Sequence, residues 1–204
     1  MAALIGASQL GTGMAVLSGL CCCTLQRIMP VREAQTYCMV FGVVKLLLLL
    51  PSVMFLIDFA GRRPLLLTSL GGSAVALAVA AAGVAFRLGP NGYDLFLFGL
   101  YAYTAFFSLG LGPVTYVYIA EVFPSDLRGA GVGICLGLSR AVSTLWVVSV
   151  PMLLSWRTVD LAQIFLCWGC ISSAVCLAVY RACPETRSRT LEQIVAEWPS
   201  EPGQ

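Results

Sequence analysis

Six stretches of about twenty residues, each nearly free of charge, follow one another with only short polar connections between them. They run from about Ala3 to Leu25, Tyr37 to Ile57, Pro64 to Phe86, Leu95 to Ala120, Ala130 to Leu154 and Leu161 to Tyr180. Stretches of that length cross the hydrocarbon of a bilayer as helices. Lipid offers open backbone groups no partner, so each segment must satisfy its own hydrogen bonds. The Leu46–Leu50 run and the Ala74–Ala82 stretch are rich in good helix formers. The chain is 59% hydrophobic and 11% charged, with a mean hydropathy of +0.88. Soluble domains carry about 25% charged residues, and no water-soluble core absorbs this excess of apolar side chains. The expected class is an all-α, multi-pass membrane protein. Residues 1–182 form one six-helix bundle and residues 183–204 a polar tail.

The same composition excludes several functions. A net charge of +2 without a basic run argues against nucleic acid. Histidine is absent, which removes the commonest metal ligand and the commonest base at neutral pH. No nucleophile–base pair and no cluster of metal ligands is evident, so an enzyme, a metal site and a bound cofactor are not expected. A channel is disfavoured because no pore segment repeats. Of the nine cysteines, all but Cys183 lie inside apolar runs, where thiols act as small hydrophobes. Cys167 and Cys170 form a C-x-x-C, but in a continuous apolar helix without acidic or histidine neighbours the pair reads as structural. Met1 leads straight into apolar residues with no basic n-region, as in a first span or a truncated start.

Six spans place Asp58–Arg63, Glu121–Arg128 and the tail on one face of the membrane. Gln26–Thr36, Arg87–Asp94 and Ser155–Asp160 fall on the other. The first face holds Arg62, Arg63, Arg128, Arg181, Arg187 and Arg189, the second Arg27, Arg32, Arg87 and Arg157. The excess of arginine assigns the first face to the cytoplasm. Gly89, Pro90, Asn91 and Gly92 signal a turn on the opposite side. In the tail, Thr190 and Gln193 match a helix-capping pattern and Leu191, Ile194 and Val195 share a face, which predicts a short amphipathic cytoplasmic helix.

Within the spans, Gly71–Gly72, Gly110–Gly112 and Gly129 to Gly137 permit close helix approach. Gly112-Pro113 also frees backbone groups and allows a kink, which reads either as bundle packing or as a broken helix lining a pathway. Lys45 and Arg140 lie deep inside spans. A charge there costs roughly 3 kcal/mol on insertion scales, and it usually faces a cavity or a partner.

Three local patterns coincide on the cytoplasmic face. Asp58-Phe-Ala-Gly-Arg-Arg-Pro64 joins spans two and three. Gly112-Pro113, then Glu121 and Arg128-Gly129, join spans four and five. Pro184-Glu-Thr-Arg-Ser-Arg-Thr-Leu-Glu192 follows span six. In that order the chain resembles the carboxy-terminal half, spans seven to twelve, of a sugar porter of the major facilitator superfamily, akin to facilitative glucose transporters. The resemblance implies a fold of two six-helix halves around a central substrate site, working by alternating access. It also implies that this chain is a half or fragment, inactive alone, whose partners are the bilayer, a small-molecule substrate and the missing amino-terminal half.

By resemblance, Asp58, Arg62, Arg63, Glu121, Arg128 and Glu185 form a cytoplasmic gate whose arginines grip carboxylates bidentately. The alternative role for these arginines is interfacial anchoring of the topology. The substrate pathway implied by the same resemblance comprises Gln9, Ser108, Gly112, Pro113, Tyr116, Ser139, Arg140 and Ser143. Several of these depart from the family pattern. Met14 stands at an asparagine position and Tyr116 at a common tryptophan position. Ser108 replaces an acid, and Ser139-Arg140 replaces an Asn-Trp pair.

The run Arg128 to Arg140 is similar to the matching span of organic-ion carriers in the same superfamily, which keeps an organic-anion carrier half open as an alternative. A non-transporting truncated membrane protein is the third reading. Plasma membrane and endomembrane both suit the chain. Asp58, Asp94, Glu121 and Asp160 all sit near span ends, which favours facilitated diffusion.

Overall fold

The structure, a computed structural model, describes residues 13–18, 30–56, 59, 61–85, 89–123, 128–156 and 160–182. These residues are almost wholly helical. Residues 14–18 are a helical piece of the first span, α1. Then come α2 (Val31–Pro51), running on through a π-helical turn (Ser52–Leu56), and α3 (Arg62–Ala85). The fourth span is divided into α4 (Gly89–Phe106), a second π-helical segment (Phe107–Leu111) and α5 (Gly112–Val122). The fifth is α6 (Arg128–Ser155) and the sixth α7 (Leu161–Ala182). Five of these spans are long and apolar enough to cross a membrane. The predicted tail helix, and all of the first span outside residues 13–18, lie outside the described residues.

Several helices begin earlier than hydropathy indicated. The Gln26–Thr36 loop was expected to be irregular, yet α2 starts at Val31, where the extended Pro30 (φ −57°, ψ 146°) ends the preceding chain and its carbonyl accepts from Ala34 N–H. Arg32, Glu33 and Gln35 are sound helix formers, and apolarity marks only the part of a helix that lipid covers. The Gly89–Asp94 turn is likewise the first part of α4, because proline is tolerated in a first helical turn, where its missing N–H has no intrahelical acceptor. The α5 helix stops at Val122. Phe123 is extended (φ −89°, ψ 134°), as expected of a residue that precedes a proline, here Pro124.

Packing divides the spans into two groups. The core lies between α3, α4 and α7, where Leu66, Leu70, Leu77, Tyr103, Phe165 and Trp168 are fully buried. Aromatic rings run edge to face through it: Phe96 to Phe165 at 5.8 Å, Phe165 to Trp168 at 5.7 Å and Trp168 to Trp146 at 6.0 Å between centroids. Glycine decides how closely two of these helices approach. A Cβ at Gly99 on α4 would stand 2.5 Å from the Ala80 backbone nitrogen on α3, so only glycine allows this contact. By contrast α2 and α6 are mostly exposed and present Leu46, Leu47, Leu50, Ile134, Leu145 and Val148 outward. In water such faces would demand a cover. Against lipid tails they are ordinary. Cys167 and Cys170 are free thiols on the exposed side of α7.

The two π segments face each other. Pro113 has no N–H, so the Leu109 carbonyl loses its helical donor. That carbonyl instead accepts from the hydroxyl of Ser52, itself just after Pro51 in α2. One turn back, Ser69 of α3 stands inside the helix break. Its hydroxyl donates to the Phe106 carbonyl at 2.8 Å and accepts from the Leu111 N–H at 2.8 Å. Phe106 and Leu111 are five residues apart, the spacing of a π-helical bond, and the serine is interposed between them. Gly110 makes this possible, because a Cβ there would lie 2.5 Å from both the Leu65 carbonyl and the Ser69 Cβ. The break in span four is therefore stabilised by hydroxyls from two neighbouring helices.

Candidate functional site

A cavity of about 510 Å³ opens beside this break. Four spans line it, and each supplies residues one or two turns apart on a single face. The π segment and α5 contribute Ser108, Gly112 and Tyr116, while α6 contributes Arg140, Ser143 and Val147. From α2 come Lys45 and Leu49, and from α1 Met14, Ala15 and Ser18. The third and sixth spans stand behind as the packed support. The volume is within the range of small-molecule sites, and the lining combines an apolar wall with a few convergent polar groups.

The polar groups differ in how well they are satisfied. The Arg140 guanidinium donates through Nη2 to the Tyr116 hydroxyl at 3.3 Å, linking α6 to α5 across the cavity. Both side chains are exposed, so this long contact leaves the remaining guanidinium donors available. Ser108 is 1% exposed, and its hydroxyl has no hydrogen-bond partner among the described residues. A buried hydroxyl without a partner is costly in a packed interior, and Ser73 and Ser172, which lie off the cavity, share that condition among the described residues. Lys45 lies near the midpoint of the Val31–Leu56 span and is half-buried. Among the described residues, no Asp or Glu lines the cavity.

Of the eight pathway residues expected from the sequence, Ser108, Gly112, Tyr116, Arg140 and Ser143 line this one cavity. Pro113 and Ser139 are buried and lie off its wall; Pro113 acts through the Leu109 carbonyl it deprives of a donor. Gln9 lies outside the described residues. Phe107, Leu49 and Val147 were not anticipated, because an apolar residue facing a cavity and one facing lipid look alike in sequence. The Tyr116–Arg140 contact joins residues 24 positions apart on two different helices.

The charged residues expected to form the gate are partly described. Asp58 and Glu185 lie outside the described residues, and for Glu121 only the helical backbone is described. Gly61 adopts φ +86°, a left-handed conformation that glycine takes freely, and the chain turns there into α3. Arg62, Arg63 and Arg128 are half-buried at the starts of α3 and α6. Arg63 reaches across to the end of the sixth span. Its Nη2 donates to the Tyr180 carbonyl at 2.7 Å, and its guanidinium lies 5.9 Å from the Tyr180 ring centroid. An arginine at the carboxyl end of α7 satisfies a carbonyl that the helix leaves open and complements the negative end of its dipole.

Comparison with known proteins agrees with this architecture. A family model described as "Sugar (and other) transporter" matches residues 1–198. Probable polyol transporter 3 of Arabidopsis thaliana is 36% identical over 144 residues, which is 69% of this chain and 28% of that protein. The D-xylose-proton symporter of Escherichia coli strain K12 is 29% identical over 166 residues, 79% of this chain and 33% of that protein. Among solved structures, the proton:xylose symporter XylE bound to 6-bromo-6-deoxy-D-glucose superposes with a TM-score of 0.83 at 23% identity, over 97% of this chain and 42% of that one. At that identity the likeness is one of fold. The chain spans less than half the length of the relatives it matches, and the matched part is their carboxy-terminal part. Motifs, helices and matches converge: the chain is a multi-pass membrane protein with the fold of the XylE structure it superposes on, and it belongs to the family of sugar (and other) transporters.

Proposed function

We propose that the chain supplies the carboxy-terminal half of a porter for a sugar or polyol, working by alternating access. The observation that carries this reading is the cavity at the break of span four, walled by four spans, whose lining joins Ser108, Tyr116, Arg140 and Ser143 to an apolar wall. The π segment with Gly112-Pro113 is the part of the wall best suited to bend. Asp58, Arg62, Arg63, Glu121, Arg128 and Glu185 form the cytoplasmic gate, with Arg63 tying the gate to the end of the sixth span. The chain acts without a cofactor and carries out no covalent chemistry. Its partners are the bilayer, the sugar and an amino-terminal half, and nucleic acid plays no part.

Uptake of labelled hexose and polyol into proteoliposomes tests this, with this chain alone beside a form that includes six upstream spans. The longer form takes up sugar, the shorter form does not, and Tyr116→Ala or Gln9→Ala in the longer form weakens uptake. Failure of the longer form to move any hexose, polyol or sugar acid sinks the reading.

A further inference from the structure

Two cations share the cavity wall. Lys45 from α2 and Arg140 from α6 both line it, each near the middle of a membrane span. Within a span a full charge is tolerated when it faces a cavity and meets an opposite charge. Among the described residues the cavity lining contains no carboxylate. Arg140 donates to the Tyr116 hydroxyl, a neutral acceptor, and four further guanidinium N–H groups remain. Beside these cations stand the buried Ser108 hydroxyl, without a partner among the described residues, and Ser143. One side of the site thus asks for negative charge and the other for hydroxyl groups.

We infer that the substrate is an acidic sugar derivative, a hexuronate or aldonate, whose carboxylate sits between Lys45 and Arg140 and whose hydroxyls meet Ser108 and Ser143. This rests on the sugar-porter reading and names its substrate class. A carboxylate accepts charge-assisted hydrogen bonds from guanidinium and ammonium, and these are stronger than bonds between neutral groups. A neutral hexose leaves both cations without an anionic partner among the described residues of the cavity. The same argument assigns Arg140 and Lys45 the role of selecting acid over neutral sugar, and Tyr116 the role of orienting Arg140.

Equilibrium binding to the full-length protein in nanodiscs tests the inference, with D-glucuronate, its neutral isostere D-glucuronamide, D-glucose, sorbitol and benzoate as probes. Glucuronate is expected to bind about tenfold or more tightly than glucuronamide, the scale of one charge-assisted bond. In Arg140→Gln and in Lys45→Met that ratio falls to about threefold or less, as expected when one of two charges is removed. Equal binding of acid and amide by the unsubstituted protein overturns the inference, whatever the variants do. If glucose or sorbitol then still binds, the sugar-porter reading stands without it. Binding of none of the four sugars and polyols overturns both. Benzoate binding as tightly as glucuronate overturns the sugar acid in favour of a general organic anion.

Discussion

Ser108 is the most informative single residue. A hydroxyl that is 1% exposed and without a partner among the described residues lowers stability, so Ser108→Ala is expected to leave the fold as stable as before or to raise stability by up to about 1 kcal/mol. Thermal unfolding in detergent measures that. Substrate affinity moves the opposite way and falls several-fold, because the lost hydroxyl is one the ligand would use. A drop in both stability and affinity would place Ser108 in the packing instead. Tyr116→Phe is expected to release Arg140 from its 3.3 Å contact and to weaken transport by up to about tenfold with little change in unfolding, since both side chains are exposed and a net hydrogen bond is worth about 1 kcal/mol. The sequence disclosed Arg140 and Lys45 through a plain physical signal, a charge in an apolar span. It disclosed Ser108, Tyr116 and Ser143 only through resemblance, because a serine or tyrosine in a membrane helix is unremarkable in composition.

At the scale of elements, the five spans described from Val31 onward were legible in their order because lipid imposes a length and a hydropathy on each helix. Their ends were less so. Arg32 and Glu33 belong to α2 although nothing apolar marks them, and Pro90 opens a helix although it reads as a turn. The two π segments were not legible at all, apart from the hint of Gly112-Pro113. Whether the backbone groups at this break are satisfied depends on hydroxyls 57 and 42 positions away: Ser52 donates to the Leu109 carbonyl freed by Pro113, and Ser69 accepts from the Leu111 N–H. Removing the inserted hydroxyl in Ser69→Ala leaves the Phe106 carbonyl and Leu111 N–H to find each other or go unpaired, at a cost of about 2 kcal/mol in unfolding. Gly99→Leu forces α4 off the Ala80 backbone and is expected to cost about 1–3 kcal/mol, as overpacking does. Both are measurable as shifts in thermal unfolding. An unchanged midpoint for Gly99→Leu would show that α3 and α4 are not locked at this contact.

For the whole molecule, the division between a packed support of α3, α4 and α7 and an exposed pair of α2 and α6 sets what each charged motif can do. Arg63 fastens the start of α3 to the end of α7, two elements of the support, which makes it a fixed strut. Arg128 stands at the start of α6, on the lightly packed side, where a shift meets less resistance. In the full-length protein, Glu121→Gln or Arg128→Ala is therefore expected to slow conformational exchange more than it weakens substrate binding, as resolved by exchange kinetics against equilibrium affinity. The serine hydroxyls at the break in span four carry one more consequence, for how the protein is made. During synthesis the segment containing Pro113 enters the membrane with carbonyls that lipid cannot satisfy, at several kcal/mol for each one left bare. Ser52 and Ser69 precede it in the chain, so both are already translated when the break emerges. The order of translation thus supplies the partners before the defect. A circular permutant that begins at α4 would insert the same helix with no hydroxyl waiting for it.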